Sequence, residues 1–201
     1  MEKSKIPTKW ITLGVIALAV LLIYGSIRGS YNTLVTLDEN IEGQWAQVEN
    51  VYQRRADLIP NLVNVVRGYA AHERETLEGV VEARSRATSI NIDAANMTPE
   101  AMAQFQQAQD NLSSALSRLM VVVERYPDLK ANQNFLELQT QLEGTENRIA
   151  NERRKYIETV RDYNTNIRRF PRNIYASMFG FERKPTFESR PGSDVPPVVE
   201  F

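Results

Sequence analysis

The chain has 201 residues, 42% hydrophobic and 24% charged, with a formal net charge of −1. That length allows one domain plus a membrane segment, and the near-neutral charge argues against nucleic-acid binding through a basic field, so no nucleic acid is expected as a partner. With no cysteine and a single histidine, His72, the composition excludes disulfides, zinc–thiolate sites, a cysteine nucleophile and a multi-histidine metal site within one chain.

Residues 1–9 are polar and basic, with Lys3, Lys5 and Lys9; Trp10 to Ile27 then gives 18 residues without a charge. That length is at the lower end for a spanning helix, and Trp10 and Tyr24 sit near its ends, where amphipathic aromatics prefer the headgroup level. The run reads as an uncleaved transmembrane anchor over 10–27, with the lipid bilayer as its partner. The signal-peptide reading needs a cleavage site at Ala17-Leu18-Ala19, inside the apolar run, or at the poor Ile23-Tyr24-Gly25. A buried soluble helix is disfavoured because no polar face exists to solvate it. Three lysines precede the run and Arg28 alone follows before Arg54, which favours a cytoplasmic N-terminus and an extracytoplasmic body. The difference is small, so the reverse orientation stays open.

The body, 31–180, carries helical apolar spacing almost throughout. A first helix is expected over about 31–56, with Leu34, Leu37, Ile41, Trp45 and Val48 on one stripe. Asp57 is a good N-cap, and Pro60 in a continuous helix would clash with the Ala56 carbonyl, so a turn or sharp kink is expected at 56–60. A second helix then covers 58–89 through Ile59, Leu62, Val66, Leu77 and Val80. After a loop, Thr98-Pro99-Glu100 starts a third helix over 99–126. Its seam of Phe105, Ala108, Leu112, Ala115, Leu119, Val122 and Tyr126 has heptad spacing. Pro127 ends it. A fourth helix is expected over 128–170, with Phe135, Leu138, Leu142, Ile149, Tyr156, Val160, Tyr163, Ile167 and Phe170, broken by Pro171. A short helix over 171–179 stops at Gly180, a suitable C′ residue. The tail, 181–201, holds four prolines and reads as extended or disordered, with Phe187 and Phe201 as its only apparent pins. The fold class is therefore all-α: an N-terminal transmembrane helix followed by a long antiparallel four-helix bundle.

The apolar run followed by YNTLVTLDENIEGQWAQVENVYQRRADLIPNLVNVVRGYAAHE, then LEGTENRIANERRKYIETVRDYN, then FPRNIYASMFGF, resembles the LemA family over nearly the whole chain. The resemblance implies a single-pass protein of the bacterial cytoplasmic membrane with a helical-bundle body. It implies no catalytic residues, because the family's molecular activity is poorly defined.

Polar residues interrupt the apolar pattern at Glu49, Asn50, Arg54, Arg55 and Asp57, at His72 and Glu73, and at Glu146, Asn147 and Arg148. They form either a partly buried network that fixes helix register, or a solvated face, or a site for a partner. A carboxylate-bridged metal bundle would need Glu-x-x-His pairs, and here Tyr69 stands three residues before His72; HERET lacks the second histidine of H-E-x-x-H. No nucleophile motif surrounds any serine, and no glycine-rich phosphate loop occurs. Gly43, Gly68, Gly79 and Gly144 lie inside helical segments and read as points of close approach or as tolerated surface positions. The basic end of the fourth helix, with Arg168, Arg169 and Arg172, either complements a helix dipole or meets anionic headgroups together with Phe179 and Phe181. That second reading depends on a turn at Pro60.

These features point to a membrane-anchored scaffold or adaptor with no enzymatic activity and no cofactor. It would bind an unspecified protein partner or copies of itself as a homo-oligomer. The alternatives are an accessory of envelope stress, membrane proteolysis or secretion machinery, and a metal-binding bundle enzyme.

Overall fold

A computed structural model of the chain describes residues 8–94 and 97–188; the segment before residue 8 and the tail from residue 189, Phe201 included, lie outside the described residues. Every element among them is helical: α1 Thr8–Tyr69, α2 Arg74–Ser89, α3 Pro99–Val123, α4 Pro127–Lys130, α5 Gln133–Asn166 and α6 Arg172–Phe179. The chain is all-α with one long apolar helix near its N-terminus, as its sequence indicates. It divides into two compact units, one of Met1–Asn40 with Arg161–Arg183 and one of Ile41–Val160 with Lys184–Phe201.

The turn expected at 56–60 is absent. Helix α1 is continuous for 62 residues with Pro60 inside it, so it merges the apolar run, the expected 31–56 helix and the first part of the expected 58–89 helix. The reason is tertiary. Pro60 has no amide to offer the Ala56 carbonyl, and Arg84 of α2 donates its Nε–H to that oxygen at 2.7 Å. A proline inside a helix costs about 3 kcal/mol, and a bond from a charged donor returns about 1.5–3 kcal/mol. The reversal falls instead at Ala70–Glu73. There Glu73 N–H donates to Ala70 O at 3.0 Å, and the Glu73 carboxylate accepts from Tyr126 Oη at 3.1 Å and pairs with Arg125 Nη2 at 3.0 Å.

Two other boundaries differ from expectation. The third helix stops at Val123 rather than 126, and the expected 128–170 helix is split into α4 and α5. Asn132 causes the split: its Oδ1 accepts the Phe135 N–H at 3.0 Å and so starts α5 afresh. The Thr98 cap behaves as its sequence predicts, accepting from Ala101 N–H at 3.1 Å.

In the larger unit α1, α2, α3 and α5 pack around Ile59, Leu62, Val66, Leu77, Val80, Leu112, Leu119 and Phe135. Neighbours run antiparallel. On α1 and α5, Tyr69 meets Asn132 while Arg55 meets Glu146; on α2 and α3, Glu73 meets Tyr126 while the Ala87 carbonyl meets Gln109. The α3 seam is buried from Phe105 to Val122. The smaller unit has its own apolar centre in Leu34, Tyr163, Ile167 and Ala176. Burial, reinforced by Asp38 and Glu182, pushes the Tyr163 phenol up to about 12. Tyr31 of α1 receives the edges of Phe179 and Phe181 at 5.0 and 5.9 Å, and Ser26 Oγ lies 3.3 Å from Tyr175 Oη. The α6 segment thus returns to the start of the body although α1 runs through Pro60. The reversal has moved along the chain rather than disappeared.

Gly43, Gly68, Gly79 and Gly144 do not mark close helix–helix approach within the chain: a Cβ at any of them would meet no heavy atom of another element within 4 Å. Gly144→Ala is therefore expected to raise stability by about 1 kcal/mol, measured by chemical denaturation. Arg84→Met should cost about 1–3 kcal/mol by orphaning the Ala56 carbonyl. In a Pro60→Ala background the restored amide takes over that carbonyl, so the same change should cost less than half as much. Equal costs in the two backgrounds would disprove the compensation.

Candidate functional site

The most ordered polar cluster is centred on Arg55, which α1 places on its buried face one turn before Ile59. Its side chain is only 2% exposed. Nη1 donates to Glu146 Oε1 of α5 at 2.8 Å and to Ser113 Oγ of α3 at 3.0 Å. Nη2 donates to Gln109 Oε1 of α3 at 2.5 Å, and Gln109 passes the chain on through its Nε2–H to Ala87 O of α2 at 3.3 Å. The guanidinium lies 5.1 Å from the centroid of the Tyr52 ring. Four helices are thus tied through one cation. Arg55 Nε is buried without a partner among the described residues.

Beside this knot lies a cleft of about 450 Å³, lined by Glu49, Asn50 and Gln53 of α1, Phe105 and Gln109 of α3, and Asn91 after α2. Burial raises the Glu49 carboxyl, and the nearby Trp45 indole partly opposes the rise. A raised carboxyl favours the folded state at low pH, and that contribution is lost as pH rises through the folded value. The Trp45 indole N–H is itself buried and makes no bond of standard geometry among the described residues.

A third feature involves the tail. Phe187 is buried against Trp45 and Tyr156, with ring centroids 6.1 and 5.6 Å away, and Arg153 stacks 4.3 Å from its ring. Tyr156 Oη donates to Pro185 O at 3.1 Å, and Gln106 pairs with the Glu188 backbone through bonds of 2.9 and 3.2 Å. Burial pushes the Tyr156 phenol upward, and the Tyr52 phenol as well. The stretch 184–188 is therefore an extended strap laid over the aromatic cluster.

The structure joins some of the residues singled out from sequence and separates others. Arg55 and Glu146 form one ion pair, and Glu49 and Asn50 line the neighbouring cleft. Glu73 belongs to the 70–73 reversal instead. Arg54, Asn147 and Arg148 are exposed; Asp57 is exposed and accepts from Gln53 Nε2 at 2.8 Å; His72 is exposed in the reversal. Arg168 and Arg169 are exposed, and half-buried Arg172 bonds Asn166. Phe179 and Phe181 pack on Tyr31. Sequence reasoning missed Gln109, Ser113 and buried Thr145. The available signal was position: Gln109 and Ser113 flank the α3 seam at Ala108 and Leu112, and Thr145 fills the gap between Leu142 and Ile149 on α5. Among the described residues no three acidic or histidine side chains gather as a metal ion would require.

Residues 44–201 match the family model described as the LemA family. The chain is similar to magnetosome protein MamQ 2 of Paramagnetospirillum magneticum, 28% identical over 203 residues, covering 90% of this chain and 73% of the relative. Magnetosome protein MamQ of Magnetospirillum gryphiswaldense is 25% identical over 206 residues, covering 93% and 75%. Protein LemA of Metamycoplasma hominis is 24% identical over 176 residues, covering 86% and 74%.

The Arg55–Glu146 pair is asymmetric, since the Glu146 side chain is 44% exposed and can rehydrate. Glu146→Ala should therefore cost more than Arg55→Met. The first strands a buried cation, at about 3–5 kcal/mol; the second leaves unpaired acceptors beside a well-filled space, at about 1–3 kcal/mol. Urea denaturation of both variants reads the order, and the reverse order would show that the pair is not limited by the buried cation.

Proposed function

The chain belongs to the LemA family, and on that basis we propose that it is a membrane-anchored helical scaffold that presents binding surfaces to protein partners and catalyses no reaction. The observation that carries this reading lies in α1. Its apolar stretch is exposed on every face, with none of the most hydropathic window buried, while further along the same helix Ile41, Val48, Ile59 and Val66 are core residues. An apolar helix with no protein around it requires another apolar solvent, and a bilayer is the one that fits about 18 residues. The anchor passes into the body without a linker, since both belong to one helix.

The non-catalytic half of the proposal draws on how the polar groups are used. Arg55, Glu146, Gln109 and Glu73 bond across helices, and His72 stands apart from them in an exposed turn. The groups left facing solvent in the 450 Å³ cleft, Glu49, Asn50, Gln53 and Asn91, suit hydrogen bonding to a polypeptide. The relatives named magnetosome proteins are, by those names, components of a magnetosome, and a component role is what we assign here. The partner is another protein or a second copy of the chain. We place the N-terminus in the cytoplasm and the body outside, from Lys3, Lys5 and Lys9 set against Arg28.

The absence of native cysteine makes the topology directly measurable. Val121 is 70% exposed on α3. Val121→Cys in the full chain should react with a membrane-impermeant maleimide in intact cells, and the protein should resist alkaline carbonate extraction. Labelling only after permeabilisation would reverse the orientation, and release by carbonate would remove the anchor. A photo-crosslinker at Asn50 should yield a discrete protein adduct absent from the same probe at Val121. Identical patterns at both positions would remove the cleft as a binding surface.

A further inference from the structure

A second cleft, of about 510 Å³, lies wholly within the smaller unit. One wall is a face of α1 made of Gly25, Ser26, Gly29, Ser30 and Thr33; the other is the turn Arg169–Arg172 between α5 and α6. No acidic residue lines it. We propose that this cleft binds the phosphate headgroup of an anionic phospholipid, with the outer face of α6 lying in the acyl boundary beside it.

Three independent observations converge. The first is charge. Arg169 is exposed, and Arg172 bonds the neutral Asn166 amide, so among the described residues neither guanidinium forms an ion pair at the cleft. Ser26 Oγ and Tyr175 Oη share one hydrogen bond in which either can donate, so between them the two hydroxyls hold one further proton that an anion at the cleft can accept; Thr33 has committed its own to Gly29 O at 2.8 Å. The small α1 side chains leave room for a phosphate to approach the helix.

The second is depth, and here the inference rests on the membrane-anchor reading. The cleft starts inside the last turn of the uncharged run, at Gly25, and ends six residues past Ile27, at Thr33. At about 1.5 Å per residue those six residues cover about 9 Å, close to the roughly 5–8 Å headgroup layer on each side of a bilayer.

The third is the α6 surface. Its inner face is occupied: Ala176 is buried, Tyr175 reaches Ser26, and Phe179 and Phe181 clasp Tyr31. Its outer face carries Ile174 and Met178, one four-residue step apart and 54% and 60% exposed, and Phe170 in the turn just before it is 81% exposed. A short helix docked by one face to a spanning helix, with arginines at one end and an unpartnered apolar stripe outward, has the layout of an interfacial element. The stripe therefore lies where aliphatic chains are, and the arginines where phosphates are.

The test uses the full chain in lipid nanodiscs, with bound lipid counted by native mass spectrometry after titration with phosphatidylglycerol or phosphatidylcholine. Arg169→Glu should weaken phosphatidylglycerol retention at least about tenfold, the loss of one charge-assisted hydrogen bond of about 1.5 kcal/mol. Arg168→Glu, an adjacent exposed arginine outside the cleft lining, should change it less than about twofold. Phe170→Ser keeps the charges and should also lower retention. Equal losses for Arg169→Glu and Arg168→Glu would reduce the effect to diffuse surface charge and overturn the cleft. Competition by glycerol phosphate or inorganic phosphate as effective as lipid would show a free-phosphate site and overturn the lipid assignment. Circular dichroism melts of the variants separate loss of binding from loss of fold. Carbonate extraction of the same preparations separates the two readings: release removes the anchor and the cleft together, whereas retention with unaltered lipid binding in Arg169→Glu removes the cleft alone.

Discussion

The bond from Arg84 Nε to the Ala56 carbonyl decides where the chain turns. Without a donor for that oxygen, the i−4 carbonyl freed by Pro60 would be an unpaired group on a nearly buried residue, and ending the helix there would relieve it. With the donor supplied by α2, the helix continues and carries Leu62, Val63 and Val66 into the core before the chain reverses. Every later element inherits that choice. Helix α2 is short because α1 has absorbed residues 58–69 of the expected second helix, and α2 must pack antiparallel against α1 for Arg84 to reach residue 56.

The apolar stripes were legible from spacing alone. The α3 seam is buried as its heptad pattern predicts, the Thr98 cap forms, and the uncharged run from Trp10 is helical and exposed. Breaks between helices were less legible, because the signals compete. Pro60 is a strong local breaker overruled by a side chain 24 positions away, which no local rule contains. The 70–73 reversal has no proline, and its glycine, Gly68, lies inside α1; it is held by Glu73 bonding to Tyr126 and Arg125, contacts that exist only after α3 has packed. Asn132 was a readable cap hidden behind the more conspicuous Pro127.

The polar site divides in the same way. Arg55 and Glu146 could be nominated because charges stand where apolar residues are expected, and the structure joins them. Their polar neighbours Arg54 and Asn147 sit about 100°, and Arg148 about 200°, round their helices from Arg55 and Glu146, which sends them to solvent. Gln109 and Ser113 were missed because neutral polar residues beside a clean seam resemble surface. They become essential only because Arg55 has no water to turn to. A buried cation converts modest neighbours into required ones.

That conversion bears on register. Heptad seams such as that of α3 are nearly indifferent to a slip of one repeat, because Leu112, Leu119 and their neighbours are interchangeable as apolar contacts. Arg55 is not indifferent. Sliding α3 or α5 by a turn would present its guanidinium with leucine in place of Gln109, Ser113 or Glu146, at the penalty of an uncompensated buried charge. The strap at 184–188 adds a second lock of opposite chemistry, an aromatic wedge whose backbone is held by Gln106 and Tyr156. With its buried charge and its apolar wedge both used internally, the larger unit leaves Glu49, Asn50 and Asn91 of the cleft outside both locks, and on the scaffold reading these are the polar groups a partner would meet. On the scaffold reading, a surface built from such groups would recognise shape and hydrogen-bond pattern as much as charge, in a chain whose formal net charge is −1.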